Sequence, residues 1–229
     1  FSVAVLGGTK VFENVLRTRV VSILSEYHPD VDEAMNDKEV LSQVYLEEYA
    51  QELAVKGNLK IILKGKEISL EDFCYGTVLN TKTLRHAEVP AGQNIRKIIT
   101  VENKANYVSM PYEEETLIIF SHGFFSPLEC EFLRKLLAVL PDVEFYHTGD
   151  LDYGGIRIFR HIREHVCSRV RPLSMDADQY DYYIQRGYEI KPETLKKLED
   201  MRGTEPLMEE LIEHMIKGKM GIEQECFLI

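Results

Sequence analysis

Between residues 95 and 174 strand-like and helix-like segments alternate, and this alternation restricts the fold more than any other feature of the sequence. Residues 95–101 (IRKIITV), 116–121 (TLIIFS), 143–149 (VEFYHTG) and 169–174 (RVRPLS) read as strands. Residues 103–108, 127–140 and 155–166 carry helical spacing between them. Strands separated by helices form βαβ units, which pair strands in parallel and place helices on the faces of the sheet. The predicted class is α/β, with a mainly parallel sheet.

The flanks have a different texture. Apolar residues recur at helical spacing from Thr9 to Tyr27 and from Asp37 to Lys56, which predicts two helices. LKIILKGKEISL then reads as a strand or hairpin around Lys64-Gly65-Lys66, with a short helix near Thr81 to Ala87. EVPAGQN breaks the pattern, so residues 1–92 are expected to form a small N-terminal α/β or helical module. Residues 93–180 would be the α/β domain and residues 181–229 a helical extension. The start at Phe1 lacks a basic region or cleavage pattern and reads as the trimmed edge of a longer polypeptide.

Composition excludes several classes. With 229 residues, 45% apolar and 28% charged, the chain can bury a sizeable core, and no apolar run approaches the roughly 18 residues of a membrane span. Cys74, Cys130, Cys167 and Cys226 form no CxxC pair, which argues against a zinc ribbon or disulfide framework and fits core thiols in a reducing cytoplasm. A net charge of −11 speaks against nonspecific coating of nucleic acid. Locally the balance reverses, because Arg157, Arg160, Arg163, Arg169 and Arg171 face only Glu164 between Gly155 and Pro172.

That cationic stretch comes directly after YHTGDLDYGG, and in a parallel sheet ligands bind outside the carboxyl ends of the strands. Asp150 and Asp152 lie just past one such end, and Glu102 past another. Residues i and i+2 of an extended segment point to one side, so the two aspartates can face one cation. Gly154 and Gly155 then permit a tight turn. Clustered carboxylates raise each other's pKa unless a cation intervenes, and Mg2+ prefers such oxygen ligands. The competing reading is that D-x-D merely caps the next helix.

TVENKANY, LIIFSHGF and FYHTGDLDYGGIRIFRHI resemble, in that order, the Toprim domain of the Wadjet JetD C-terminal family, itself similar to the A subunit of type VI topoisomerases. FSVAVLGGTKVFEN, MDADQY and IEQE look like that family's flanking segments. The resemblance implies a Rossmann-like Toprim fold and a Mg2+- or Mn2+-dependent DNA endonuclease. Glu102 would be a metal ligand or general acid/base, and Asp150 and Asp152 the metal-binding aspartates. The implied partners are double-stranded DNA, a condensin-like SMC ATPase complex that restricts plasmid DNA, and a second copy of the chain. Topoisomerase relatives need a nucleophilic tyrosine. Tyr27, Tyr45, Tyr49 and Tyr75 read as helix or loop residues, so hydrolysis by activated water is expected.

Other residues compete for a role. His122, Arg157 and Arg160 are candidates for DNA or phosphate contact, although His122 also suits a turn. Asp176 is either an outer carboxylate or a helix cap. HIREH at residues 161–165 has the H-x-x-E-H spacing of zinc peptidases, but the surrounding arginines would repel a cation. His147 reads as a core histidine, and Glu225 resembles a family acid. Lys60, Lys64 and Lys66 suit either a duplex backbone or a protected edge strand, and Gly7-Gly8-Thr9-Lys10 lacks P-loop spacing. Two rival functions remain. One is a haloacid-dehalogenase-like phosphatase with Asp150 as nucleophile and Asp152 as acid, although that fold carries D-x-D on its first strand. The other is a non-catalytic DNA-binding scaffold.

Overall fold

The structure is a computed structural model and describes residues 2–47 and 49–228; Phe1, where the trimmed edge is expected, lies outside them. The chain divides into two compact units at Tyr49/Ala50. The first is helical, with α1 (Ser2–Leu6), a π-helical turn at Phe12–Leu16, α2 (Arg17–Tyr27) and α3 (Asp37–Ser42). Asn36 opens α3 with a capping box completed by Glu39. The helix expected over residues 37–56 therefore ends at Ser42, and Glu52–Lys56 is a strand. Leu53, Ala54 and Val55 are buried together on both faces of that strand, and such a continuous apolar run mimics a helix in sequence.

The second unit contains β1 (Glu52–Lys56), a hairpin of β2 (Lys60–Leu63) and β3 (Lys66–Ser69), β4 (Thr77–Asn80) and α4 (Thr81–His86). Next come β5 (Lys97–Val101), α5 (Lys104–Ser109), β6 (Thr116–Phe120), α6 (Pro127–Ala138), β7 (Glu144–Thr148), α7 (Tyr153–His165) and β8 (Arg171–Pro172). The chain continues through α8 (Ala177–Tyr183), β9 (Tyr188–Glu189), α9 (Pro192–Asp200), α10 (Glu209–Gly218) and β10 (Met220–Gly221). Among the described residues no helix is long and apolar enough to cross a membrane. Of the four cysteines expected in the core, Cys130 is buried and Cys74 is exposed.

Six strands form one sheet in the order β4-β1-β6-β5-β7-β8. β5, β6, β7 and β8 pair in parallel, whereas β1 runs antiparallel to both β4 and β6. The fold is α/β and Rossmann-like, with helices flanking a mixed, mostly parallel sheet. Residues 88–94 do not separate two bodies, since β1 and β4 precede them and complete the sheet that the later strands begin. β5 is central, and Ile98, Ile99, Thr100 and Val101 are all buried, as a strand covered on both faces requires. From β5 the chain steps to β6 on one side and later crosses to β7 on the other, which makes the β5/β7 gap a topological switch point.

The antiparallel edge also supports α5, the helix that leaves the end of β5. Lys56 is buried, and its ammonium donates to the carbonyls of Tyr107 at 3.1 Å and Met110 at 2.6 Å. These lie at the carboxyl end of α5, where carbonyls lack helical partners and a cation is favoured. Lys56→Met strands those acceptors and is expected to cost roughly 2–3 kcal/mol. Urea unfolding checks this, and a loss below about 0.5 kcal/mol would show that α5 does not depend on the lysine.

Candidate functional site

Strand register sets the geometry. Val101 is level with Phe120 of β6 and Thr148 of β7, so the three strands end together. Glu102 continues the ladder by donating its N–H to the Thr148 carbonyl at 3.0 Å. Its carboxylate Oε2 accepts the Asp150 N–H at 3.1 Å. Asp152 caps α7, with Oδ1 accepting the Gly155 N–H at 2.7 Å. The structure thus brings Glu102 and the Asp150/Asp152 pair to one rim, across 48 residues of chain. Asp152 does cap its helix, and it also adds its charge to the field on Glu102 and Asp150.

The glycines have a steric explanation. A Cβ on Gly149 would lie 2.3 Å from Glu102 Oε2, and one on Gly155 would lie 2.1 Å from the Asp150 carbonyl oxygen. At Gly155 the obstacle is backbone, so glycine is needed there, whereas a side chain at Gly149 would displace the Glu102 carboxylate from its place.

Three residues were missed by sequence reasoning. Gln224 donates its N–H to Asp150 Oδ1 at 2.7 Å, and Glu223 lies within hydrogen-bonding reach of the Asp150 carboxyl. Tyr188 donates its hydroxyl to Asp152 Oδ2 at 2.7 Å. The IEQE segment was a signal for the first two, but local pattern could not distinguish Glu223 from Glu225. Glu225 instead accepts from Asn103 Nδ2 at 3.2 Å, beside Glu102. Nothing local marks Tyr188.

Other candidates settle elsewhere. Asp176 caps α8 through Gln179 N–H at 2.8 Å. Arg160 pairs with Glu164 at 2.9 Å, and Arg163 with the buried Glu205 at 3.0 Å; Arg157 also contributes to the field on Glu205. His122, at φ 49°, places Nε2 3.0 Å from Oε1 of the fully buried Glu129, whose Oε2 accepts from Ser126 N–H and Oγ–H. In HIREH, buried His161 contacts the Phe125 carbonyl at 3.1 Å, His165 Nδ1 contacts the His161 carbonyl at 3.0 Å with the two rings stacked 4.3 Å apart, and Glu164 pairs with Arg160. His147 is a fully buried core histidine with Nδ1 2.9 Å from Thr100 Oγ1, and burial lowers its pKa to about 3. A cleft of about 710 Å³ opens at the opposite, amino-terminal ends of β5, β6 and β7.

Burial, then the neighbouring Asp150 carboxylate, pushes Glu102 up to about 8. Burial, together with Asp152 and Glu223, pushes Asp150 up to about 7 against the opposing Gln224 hydrogen bond. Burial and the adjacent Asp152 also raise the Tyr188 phenol, which therefore stays a hydrogen-bond donor. Among the described residues no three His, Cys, Asp or Glu side chains stand ready to hold a metal ion. The oxygens are instead engaged by Asp150 N–H, Gln224 N–H, Gly155 N–H and Tyr188. Even so, the donor set suits a hard divalent cation, since it offers only oxygen, and burial and mutual repulsion drive Glu102 and Asp150 toward the neutral form.

These raised values fix the sign of the pH dependence. Glu102 and Asp150 titrate higher in the folded chain, so the stability they confer is complete below their ordinary values of 4.5 and 3.8 and is lost as pH rises through about 8 and 7, respectively. The metal-free melting temperature should fall between about pH 4 and pH 8, and Glu102→Gln should flatten that fall. A decline equally steep in the Gln variant would contradict the assignment.

Residues 59–228, which include every acid of the cluster, match the family model described as Wadjet protein JetD, C-terminal. The Wadjet protein JetD of Bacillus cereus (strain Q1) is 34% identical over 235 residues, covering 100% of this chain and 56% of that relative. The chain thus spans little more than half the length of the curated relative it matches. With the matched region holding every strand of the sheet except β1, the acid rim and the C-terminal segment that closes on it, the chain belongs to the Wadjet JetD family through that family's C-terminal region.

Proposed function

We propose that this chain is the Toprim-type nuclease part of a Wadjet-type defence system, a Mg2+- or Mn2+-dependent endonuclease acting on plasmid or other foreign double-stranded DNA. The observation that carries this reading is the Glu102 carboxylate bound to the backbone of Asp150 at the β5/β7 switch point, with Asp152 and Glu223 beside it. Glu102, Asp150 and Asp152 would hold the cation, which when bound polarises a phosphoryl oxygen and lowers the pKa of a water. The chain's own residues supply the rest. The thirteen-residue α7 directs its positive amino-terminal end at the rim where a phosphate would lie. Glu102 would serve either as a third ligand, giving up its proton to the cation, or as the general acid/base at the reacting oxygen, the two roles being alternatives. His122, oriented by Glu129, and Arg157, one turn into α7, are the side chains proposed to meet phosphate. A condensin-like SMC ATPase complex and a second copy of the chain are the proposed partners.

A non-catalytic DNA-binding scaffold is the second reading. It is favoured by the hydrogen bonds that already engage the acid oxygens. Supercoiled plasmid incubated with Mn2+ separates the two. Glu102→Ala, Asp150→Ala and Asp152→Ala should each lower cleavage by at least about 100-fold while circular dichroism stays that of the parent. Wild-type cleavage by any one variant removes that acid from catalysis, and equal, metal-independent behaviour of all four proteins supports the scaffold.

A further inference from the structure

We propose that the C-terminal ribbon is the frame that orients both aspartates, with Tyr188 the positioning residue for Asp152 and Gln224 that for Asp150; this rests on the metal-dependent reading above. β9 and β10 pair antiparallel, placing Tyr188 opposite Gly221. The Gly221 backbone lies directly under the tyrosine ring, where a Cβ would come 2.6 Å from Tyr188 Cζ. The buried Tyr180 anchors the ribbon from α8 by donating to the Met220 carbonyl at 3.0 Å. One residue past β10, Ile222 and Leu151 exchange backbone hydrogen bonds at 2.8 and 3.1 Å, fastening the tail to the D-x-D loop between its two aspartates.

Gln224, itself buried, then uses every polar group it has. Its N–H meets Asp150 Oδ1 at 2.7 Å and its Nε2 meets Thr148 Oγ1 at 2.9 Å. Its Oε1 accepts the Asn103 N–H at 2.9 Å, and its carbonyl accepts from Asn106 Nδ2 at 3.0 Å. One side chain and its backbone therefore tie the end of β5 to the end of β7. On the other side of the ribbon Tyr188 completes the restraint of Asp152. With Oδ1 on the helix cap and Oδ2 on the phenol, the carboxylate cannot rotate. Each oxygen still keeps a lone pair for a cation, so the phenol orients the ligand without consuming it. Partners of this kind, standing behind metal ligands, typically contribute 10- to 100-fold in metal affinity.

Mn2+ titration followed by electron paramagnetic resonance tests this on the whole chain. Tyr188→Phe removes one hydroxyl from a residue 42% exposed, so the fold should survive. Gly221→Ala removes no polar group but must push the ring away. Both variants should bind Mn2+ about 10-fold more weakly than the parent. Both should lose the metal-induced tyrosine difference spectrum, which is readable because the chain has no tryptophan. In plasmid cleavage kcat should fall while the DNA concentration for half-maximal rate stays put. Tyr188→Phe binding Mn2+ as tightly as the parent overturns the proposal while leaving the metal reading in place. A parent that, like Asp152→Asn, shows no saturable Mn2+ binding overturns the metal reading and this proposal with it. If Gly221→Ala fails to fold, Tyr188→Phe decides alone.

Discussion

The rim is held together by backbone, not by side-chain attraction. Carboxylates repel, and nothing in their own chemistry would gather Glu102, Asp150 and Asp152 in a metal-free chain. What gathers them is the parallel pairing of β5 with β7, whose ladder runs one hydrogen bond beyond the strands, from Glu102 N–H to the Thr148 carbonyl. Glu102 then accepts the Asp150 N–H, so each acid is positioned by the other's strand. The burial of Ile98, Ile99, Val101, Leu117, Ile118 and Ile119 supplies the stability that outweighs this repulsion, since apolar burial is the dominant favourable contribution to folding.

The electrostatic strain at the rim has a direction. On the proposed metal-dependent reading, a bound cation would take the place of the protons on Glu102 and Asp150, because metal ligands must be deprotonated. The same arrangement weakens the fold at alkaline pH. Contacts from outside the alternating strands also reach the site and its surroundings. The antiparallel edge sends Lys56 under α5, and the C-terminal tail sends Gln224 between the two strand ends. Neither contact involves residues close in sequence; the first secures the helix that follows Glu102, and the second meets Asp150 itself.

Much of the fold was legible because its signals are local. The strands at 95–101, 116–121 and 143–149 and the helices between them announce themselves through β-branched runs and apolar spacing, and the structure places elements at those positions. Legibility failed at residues 52–56, where a strand buried on both faces imitates a helix, and at residues 77–80, a strand made by pairing with β1. It failed also for the arginines. Helical spacing shows that Arg160 and Arg163 can share a face, but not that Glu205, 42 residues beyond Arg163, will occupy it.

From the sequence alone came the α/β class, the order of the βαβ segments, the acids at strand ends and the glycines that follow the aspartates. These derive from periodicity and from the steric freedom of single residues, which operate over a few positions. Tertiary structure alone decided that β5 and β7 are neighbours, that the edge is antiparallel, and that Tyr188, Glu223 and Gln224 reach the aspartates. Those outcomes depend on which surfaces bury each other across tens of residues, and no short-range pattern encodes the choice of partner.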